Sequence, residues 1–489
     1  MPPGFSAADF TNIFPEIALA VGALLVLVAG LLGRRGESLT LPLTLITLGV
    51  TATLLLPLSG VDTTASRGLL AIDGFALFFK LLFLLAATIT VLMSSSYLRL
   101  EGLPVSEYYF LILCATLGMM FMASGVDLIT LFIGLETMAV SFYILAGFLK
   151  PNQRSNEAGV KYYLLGAFST GILLYGMSLL YGLSGTTRLN EMAIALVPQA
   201  SSTPVLLAVI LVAAGMAFKI AAVPFHMWAP DVYEGAPTPV TAFLSVGSKT
   251  AAFAMLLRLF VEGLPAVTPD WQILFWWLAV ITMTVGNIAA ITQSNVKRML
   301  AYSSIAHSGY VLIGLVAGTS RGWTAALVYL FVYLFMQLGA FAIITMLRRR
   351  DVVGDELKDL SGLYFRSPIA AVAMLIFMLS LGGIPPTAGF MGKIWIFGAA
   401  VDAGFISLAV IGVVNSAISL FYYIRVVVFM WIKEEVTGSE IQLGPAMATA
   451  LVVTVVGSVL FGIYPQPIFE QAQAAAETLG AVTSTAILR

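Results

Sequence analysis

Charge is what this 489-residue chain has least of: 10% of its residues are Asp, Glu, Lys or Arg, while 60% are hydrophobic. With a mean hydropathy of +0.98, that composition excludes a soluble globule. A formal net charge of -1 excludes a global field that would recruit nucleic acid, so charge matters here through where it sits. The single cysteine, Cys114, excludes an internal disulfide and, inside an apolar run, reads as a lipid-facing or packing residue. No cysteine cluster could hold iron and sulfur, and no G-x-G-x-x-G follows a strand. Gly247-Ser248-Lys249-Thr250 lacks both glycines that a phosphate loop requires. If the chain takes part in redox or nucleotide chemistry, another subunit carries the cofactor. No basic stretch precedes the first apolar run, which therefore reads as a retained span and not as a cleaved signal. The longest polar connections, Arg348 to Arg366 and Lys433 to Gly444, are too short to hold a core of their own.

Apolar runs are abundant. A hydrocarbon core of about 30 Å needs roughly 20 apolar residues to cross it. Fourteen runs qualify: 13-33, 40-60, 72-95, 106-124, 126-148, 158-183, 203-223, 238-261, 271-293, 300-317, 322-347, 367-400, 404-430 and 444-463. With the N-terminus outside and every run spanning, 15 of the 24 Lys and Arg residues fall on the cytoplasmic side, and only Arg67, Arg188, Arg321 and Arg489 face the other. One miscounted span would scramble that division, so the positive-inside rule supports the count and predicts both termini outside. The fold class is all-α, a polytopic membrane protein of about fourteen transmembrane helices.

Several basic residues sit where lipid should forbid them. Lys219 and Lys249 lie inside apolar runs, and a cation at that depth costs about 2.5 to 3.5 kcal/mol on insertion scales. Between them Pro224, Pro230, Pro237, Pro239 and Gly235 predict that both helices are interrupted, freeing backbone groups that must then line protein or water. Lys393 follows a second break, Gly382-Gly383-Ile384-Pro385-Pro386. Ser141-Phe142-Tyr143-Ile144-Leu145-Ala146-Gly147 resembles Ser308-Gly309-Tyr310-Val311-Leu312-Ile313-Gly314, and each is followed by a lysine on a broken helix. An offset of five spans, an odd number, would orient the two units oppositely, as in the inverted repeats of transporters.

Each of these charges has a structural reading beside the functional one. Glu136 is a counter-ion for a neighbouring helix or one partner of Lys219, whose separation would let a proton leave. Lys249 either snorkels or carries protons, though it lies about ten residues into its span. Lys393 either caps the carbonyls of its broken helix or carries protons. Lys80, less than two turns from Asp73, reads as a structural charge outside the path. His226 and His307 are packing residues or relays that hold water, and neither has further ligands at metal spacing.

The stretches FHMWAPDVYEGAPTPVTAFLSVGSK, QSNVKRMLAYSSIAHSGYVLIGL and GGIPPTAGFMGK resemble the antiporter-like membrane subunits of the proton-pumping NADH:quinone oxidoreductase, respiratory complex I, and among them the N type. The resemblance covers essentially the whole chain. It implies two inverted five-helix repeats with discontinuous helices, at 106-262 and 263-435, between an N-terminal three-helix segment at 1-105 and a C-terminal helix and tail at 436-489. Matched by motif, Glu136 and Lys219 stand for the family's glutamate and lysine pair, Lys249 for its central lysine and Lys393 for its exit-side lysine. His307 lies within a matched motif. The resemblance further implies a proton translocator without redox chemistry of its own, in a bacterial inner membrane. Other membrane and peripheral subunits would hold flavin, iron-sulfur clusters and quinone. A subunit of a Mrp-type cation/proton antiporter, or of a related hydrogenase or photosynthetic complex, is the rival reading.

Overall fold

The computed structural model describes residues 7–348, 354–432 and 444–479. Both predicted external termini lie outside the described residues, as do Arg349, Arg350, Lys433 and Arg489.

Helices occupy the apolar runs. In chain order they are α1 (Phe14–Gly30), α2 (Arg34–Leu55), α3 (Gly74–Glu101), α4 (Val105–Ser124), α5 (Leu128–Ala146), α6 (Gln153–Ser184) and α7 (Thr203–Lys219). Then follow α8 (Trp228–Gly235), α9 (Thr238–Gly263), α10 (Thr268–Ile291), α11 (Val296–Ala317) and α12 (Ser320–Leu347). The last are α13 (Pro368–Gly382), α14 (Ala388–Asp402), α15 (Ile406–Trp431), α16 (Pro445–Ile463) and α17 (Gln466–Thr478). Among the described residues 11 helices are long and apolar enough to cross a membrane, and α1, α7 and α13 are shorter apolar helices. The chain is a multi-pass integral membrane protein.

Burial sorts these helices into centre and rim. The apolar stretch of α9 is 100% buried and those of α11 and α12 94%, whereas in α6, α15 and α16 the figure is 39%. Rim helices turn Leu24, Ile133, Phe168, Trp277 and Ile369 outwards, the apolar coat that lipid requires. Small residues let helices approach closely: α4 crosses α5 at Gly118 and Gly134, where a Cβ on Gly118 would lie 2.5 Å from the Met138 amide nitrogen.

Two helices are broken where the prolines predicted, after Lys219 and before Lys393, but the helix that carries Lys249 is not. After Lys219 the chain unwinds through a left-handed Ala221 (φ 56°) before α8 begins. The freed groups find partners: Ala222 N donates to Ala217 O (2.7 Å), Val223 N to Thr282 Oγ1 (3.0 Å) and Trp228 Nε1 to Phe218 O (2.9 Å). α9, which carries Lys249, is continuous. Pro237 is its N-cap and Pro239 sits in its first turn, where no intrahelical amide partner is lost. What α9 has instead is a π-helical turn, Leu244–Ser248, directly before Lys249. The second break separates α13 from α14 at 383–387, as read from the Gly-Gly and Pro-Pro pairs.

Buried ion pairs fasten the N-terminal helices. Lys80 meets Glu16 at 2.6 Å. Asp73, the N-cap of α3, belongs to Arg258 of α9, which lies 2.7 Å from it and 2.6 Å from Glu262.

Candidate functional site

The polar side chains of the interior form a row that begins on α5 and ends at the second break. Lys219, the last residue of α7, is 2% exposed. Its ammonium group lies 3.4 Å from the Tyr143 hydroxyl and 5.7 Å from the centre of that ring, a cation–π contact. Glu136 stands two turns before Tyr143 on α5, and its Oε1 is buried without a hydrogen-bond partner. Among the described residues no ion pair joins Glu136 to Lys219, although Glu136 lies near enough for its charge to act on both Lys219 and Tyr143.

Lys249 is 3% exposed and faces no carboxylate within ion-pair distance among the described residues. It donates to Ser308 Oγ (3.3 Å), and Ser308 in turn donates to Ile220 O (2.7 Å), the first carbonyl after the end of α7. One side chain thus links the central lysine to the unwound segment beside Lys219. The Tyr233 ring lies 5.9 Å from the Lys249 ammonium on the other side.

His307 precedes Ser308 on α11 and points the opposite way along the row. Its Nδ1 is 2.7 Å from the Tyr329 hydroxyl and its Nε2 is 3.0 Å from that of Tyr423. Tyr423 is also 2.5 Å from Ser303 Oγ. Three residues further on α11, the Tyr310 ring lies 5.3 Å from the ammonium of Lys393. Asn287, wholly buried in α10, donates to the Tyr310 hydroxyl (3.1 Å) and accepts from that of Tyr422 (2.8 Å).

Lys393 donates to Leu381 O (3.0 Å), Gly382 O (2.8 Å) and Ser416 Oγ (2.8 Å). The first two are C-terminal carbonyls of α13, which have lost their helical amide partners, so the capping role is present. Lys297 does the same for α8, donating to Glu234 O (2.8 Å) and Ala236 O (2.7 Å).

The structure therefore brings Lys219, Lys249, His307 and Lys393 into one row through Tyr143, Ser308 and Tyr310, with Glu136 at its head. Among the described residues no side-chain hydrogen bond joins His226 to the row, although it lies near enough to feel the charge of Lys249. It lies half-buried on the unwound segment between exposed Phe225 and Met227, its Nδ1 without a partner. The matched tyrosines of the sequence repeat occupy equivalent posts, Tyr143 against Lys219 and Tyr310 against Lys393. Tyr143, Ser308, Asn287 and Lys297 were missed as site residues; an amide or serine amid apolar residues was the available signal for two of them.

Helices broken at membrane depth, with lysines lodged at the breaks and one on the unbroken helix between them, define an antiporter-like membrane protein. The family model described as "NADH:quinone oxidoreductase/Mrp antiporter, TM" matches residues 124–419. NADH-quinone oxidoreductase subunit N of Trichlorobacter lovleyi is 48% identical over 97% of this chain and 98% of its own. A chain of respiratory complex I from Thermus thermophilus superposes with a TM-score of 0.81 at 33% identity, covering 94% of this chain and 99% of that one. A chain of the Mrp complex from Dietzia gives 0.86 at 23% identity, over 99% and 100%, which establishes a shared fold alone. The chain belongs to the NADH-quinone oxidoreductase subunit N family.

Proposed function

We propose that this chain is a proton-translocating membrane subunit of an NADH:quinone oxidoreductase, and that its protons pass along Glu136, Lys219, Lys249 and Lys393. The observation that carries the reading is the row itself: three lysines, each at most 4% exposed, linked by hydroxyls and backbone carbonyls and without a carboxylate ion pair among the described residues. Burial without a fixed counter-ion leaves an ammonium group free to lose and regain its proton, the chemistry a relay needs. Buried Ser248, Thr250, Ser304 and Tyr333 have unpartnered hydroxyls, places where water would complete the row.

The paired contacts of Tyr143 with Lys219 and Tyr310 with Lys393 favour two inverted repeats, at 106-262 and 263-435, in a fold of fourteen spans with both termini outside. Flavin, iron-sulfur clusters and quinone then belong to other subunits of the complex, in a bacterial inner membrane. Quinone reduction there would bias the Glu136 and Lys219 end of the row, and the change would pass on through Ser308 to Lys249. The Mrp-type reading is weaker, since likeness at 23% identity carries the fold only. His307 serves as a relay between Lys249 and Lys393, and His226 lies off the path.

The experiment is proton uptake by membrane vesicles carrying the whole complex. Lys219→Ala is expected to abolish uptake and Lys249→Met to weaken it strongly, with assembly intact on native gels. Parental uptake in both variants would remove the lysine row from the path.

A further inference from the structure

A cleft of about 300 Å³ opens where the ends of α10 and α15 meet the connection that precedes α13. It is lined chiefly by Thr292 and Ser294 after α10, Lys358 of the connection and Arg425 of α15. Its walls are held in place. Val296 N donates to Asp355 O (2.6 Å) and Leu357 N to Ser294 O (2.9 Å), which laces the connection to the start of α11. From the other side Arg425 donates through Nη1 to Ile291 O (2.7 Å) and through Nη2 to Gln293 O.

Capping the end of α10 accounts for only part of this arrangement. It uses one hydrogen on each terminal nitrogen of Arg425 and leaves the other donors of the guanidinium over, and Nε is buried with no hydrogen-bond partner. Among the described residues neither Arg425 nor Lys358 has a carboxylate within ion-pair distance, whereas Arg298, nearby on α11, has both Asp231 and Glu234. The one carboxylate in the lining, Glu356, accepts from the Asp359 amide and is committed to its own turn. Two cations beside the exposed hydroxyls of Thr292 and Ser294, with no anion of the chain's own, make a site for a bound anion.

The surroundings of the cleft decide which anion. Ile288 stands one turn before Thr292 on α10, and Phe421 one turn before Arg425 on α15, so each shares a face with the polar residue above it. Both are exposed, as is Ile424. A soluble anion makes no use of that apolar apron. A phospholipid carries phosphate and hydrocarbon in the same order, and basic pockets between membrane helices hold such headgroups.

We propose that this cleft binds the phosphate of an anionic phospholipid, with Arg425, Lys358 and Ser294 on the headgroup and Ile288, Phe421 and Ile424 along its chains. The lipid would complete the joint between α10, α15 and the connection, which the protein's own groups leave short of negative charge.

The test uses the purified intact complex, delipidated in detergent and reloaded with phosphatidylglycerol that carries a diazirine near its headgroup. Illumination is expected to label residues 288–294 and 421–429. Excess unlabelled phosphatidylglycerol should remove that label, and phosphatidylcholine of the same chains or inorganic phosphate should not. Losing one cation weakens attraction to anionic lipid about fivefold, so in Lys358→Ala the lipid concentration for half-maximal labelling should rise by about that factor. Arg425→Gln is expected to raise it at least as far; should that variant not assemble, Lys358→Ala, changed only in an exposed side chain, decides alone. An unmoved half-point in Lys358→Ala would overturn the proposal, as would equal competition by phosphatidylcholine. So would competition by inorganic phosphate, which would leave a free-anion site, or cross-linking of both segments to a neighbouring subunit in place of lipid.

Discussion

Tyr143 makes two distinct contacts with Lys219, through its hydroxyl and through its ring, and they can be separated. Tyr143→Phe keeps the ring and removes the oxygen. A hydrogen bond to a charged group contributes about 1.5–3 kcal/mol, so at the lower end the variant should pump about tenfold more slowly. Initial rates of proton uptake check this; an unchanged rate would assign Tyr143 to packing. The three lysines were legible in the sequence because a cation in an apolar run has few innocent explanations. Their partners were not, since hydroxyls are common in membrane helices and only folding brings together residues 76 positions apart, as with Tyr143 and Lys219, or 59 apart, as with Ser308 and Lys249. Glu136 reads in the sequence as a buried acid, whereas the structure leaves it half-buried with only Oε1 enclosed, and its distance from Lys219 depends on how α5 is rotated against α7.

Helix breaks were half legible for a related reason. Proline signals a break only where it removes an amide from the helix interior, and Pro239, placed in a first turn, removes none. Pro224 falls in an unwound stretch and Pro385 and Pro386 in another. At the second break Gly383 has φ 81°, and a Cβ there would lie 2.6 Å from Lys393 Cδ. Gly383→Ala is thus strained in its backbone, at about 1–3 kcal/mol, and pushes the lysine off the α13 carbonyls. A lower unfolding midpoint together with reduced proton uptake is the expected result, while Gly398→Ala, with nothing within 4 Å of the added atom, should change neither. Equal behaviour of the two variants would mean that Lys393 does not depend on that seat.

Across the whole molecule, charges divide into fixed and unfixed. Asp73 with Arg258, and Glu16 with Lys80, are closed pairs that tie α3 to α9 and α1. Removing one partner from a buried pair costs about 3–5 kcal/mol, so Asp73→Ala should lower the amount of assembled complex and its unfolding midpoint. Wild-type values for both would show that water reaches Arg258. The ratio of protons to electrons in whatever complex does assemble should stay parental, because this pair lies outside the row.

Lys219 ends α7, Lys393 leans on the last carbonyls of α13, and Lys297 does so on those of α8. A helix terminus presents about half a negative elementary charge, spread over oxygens that cannot swing away. When the Lys393 ammonium empties, no ion-paired carboxylate among the described residues is stranded, and when it refills, none has to be recruited. The seat looks much the same to the loaded and the unloaded amine, which keeps the rearrangement between those two conditions small.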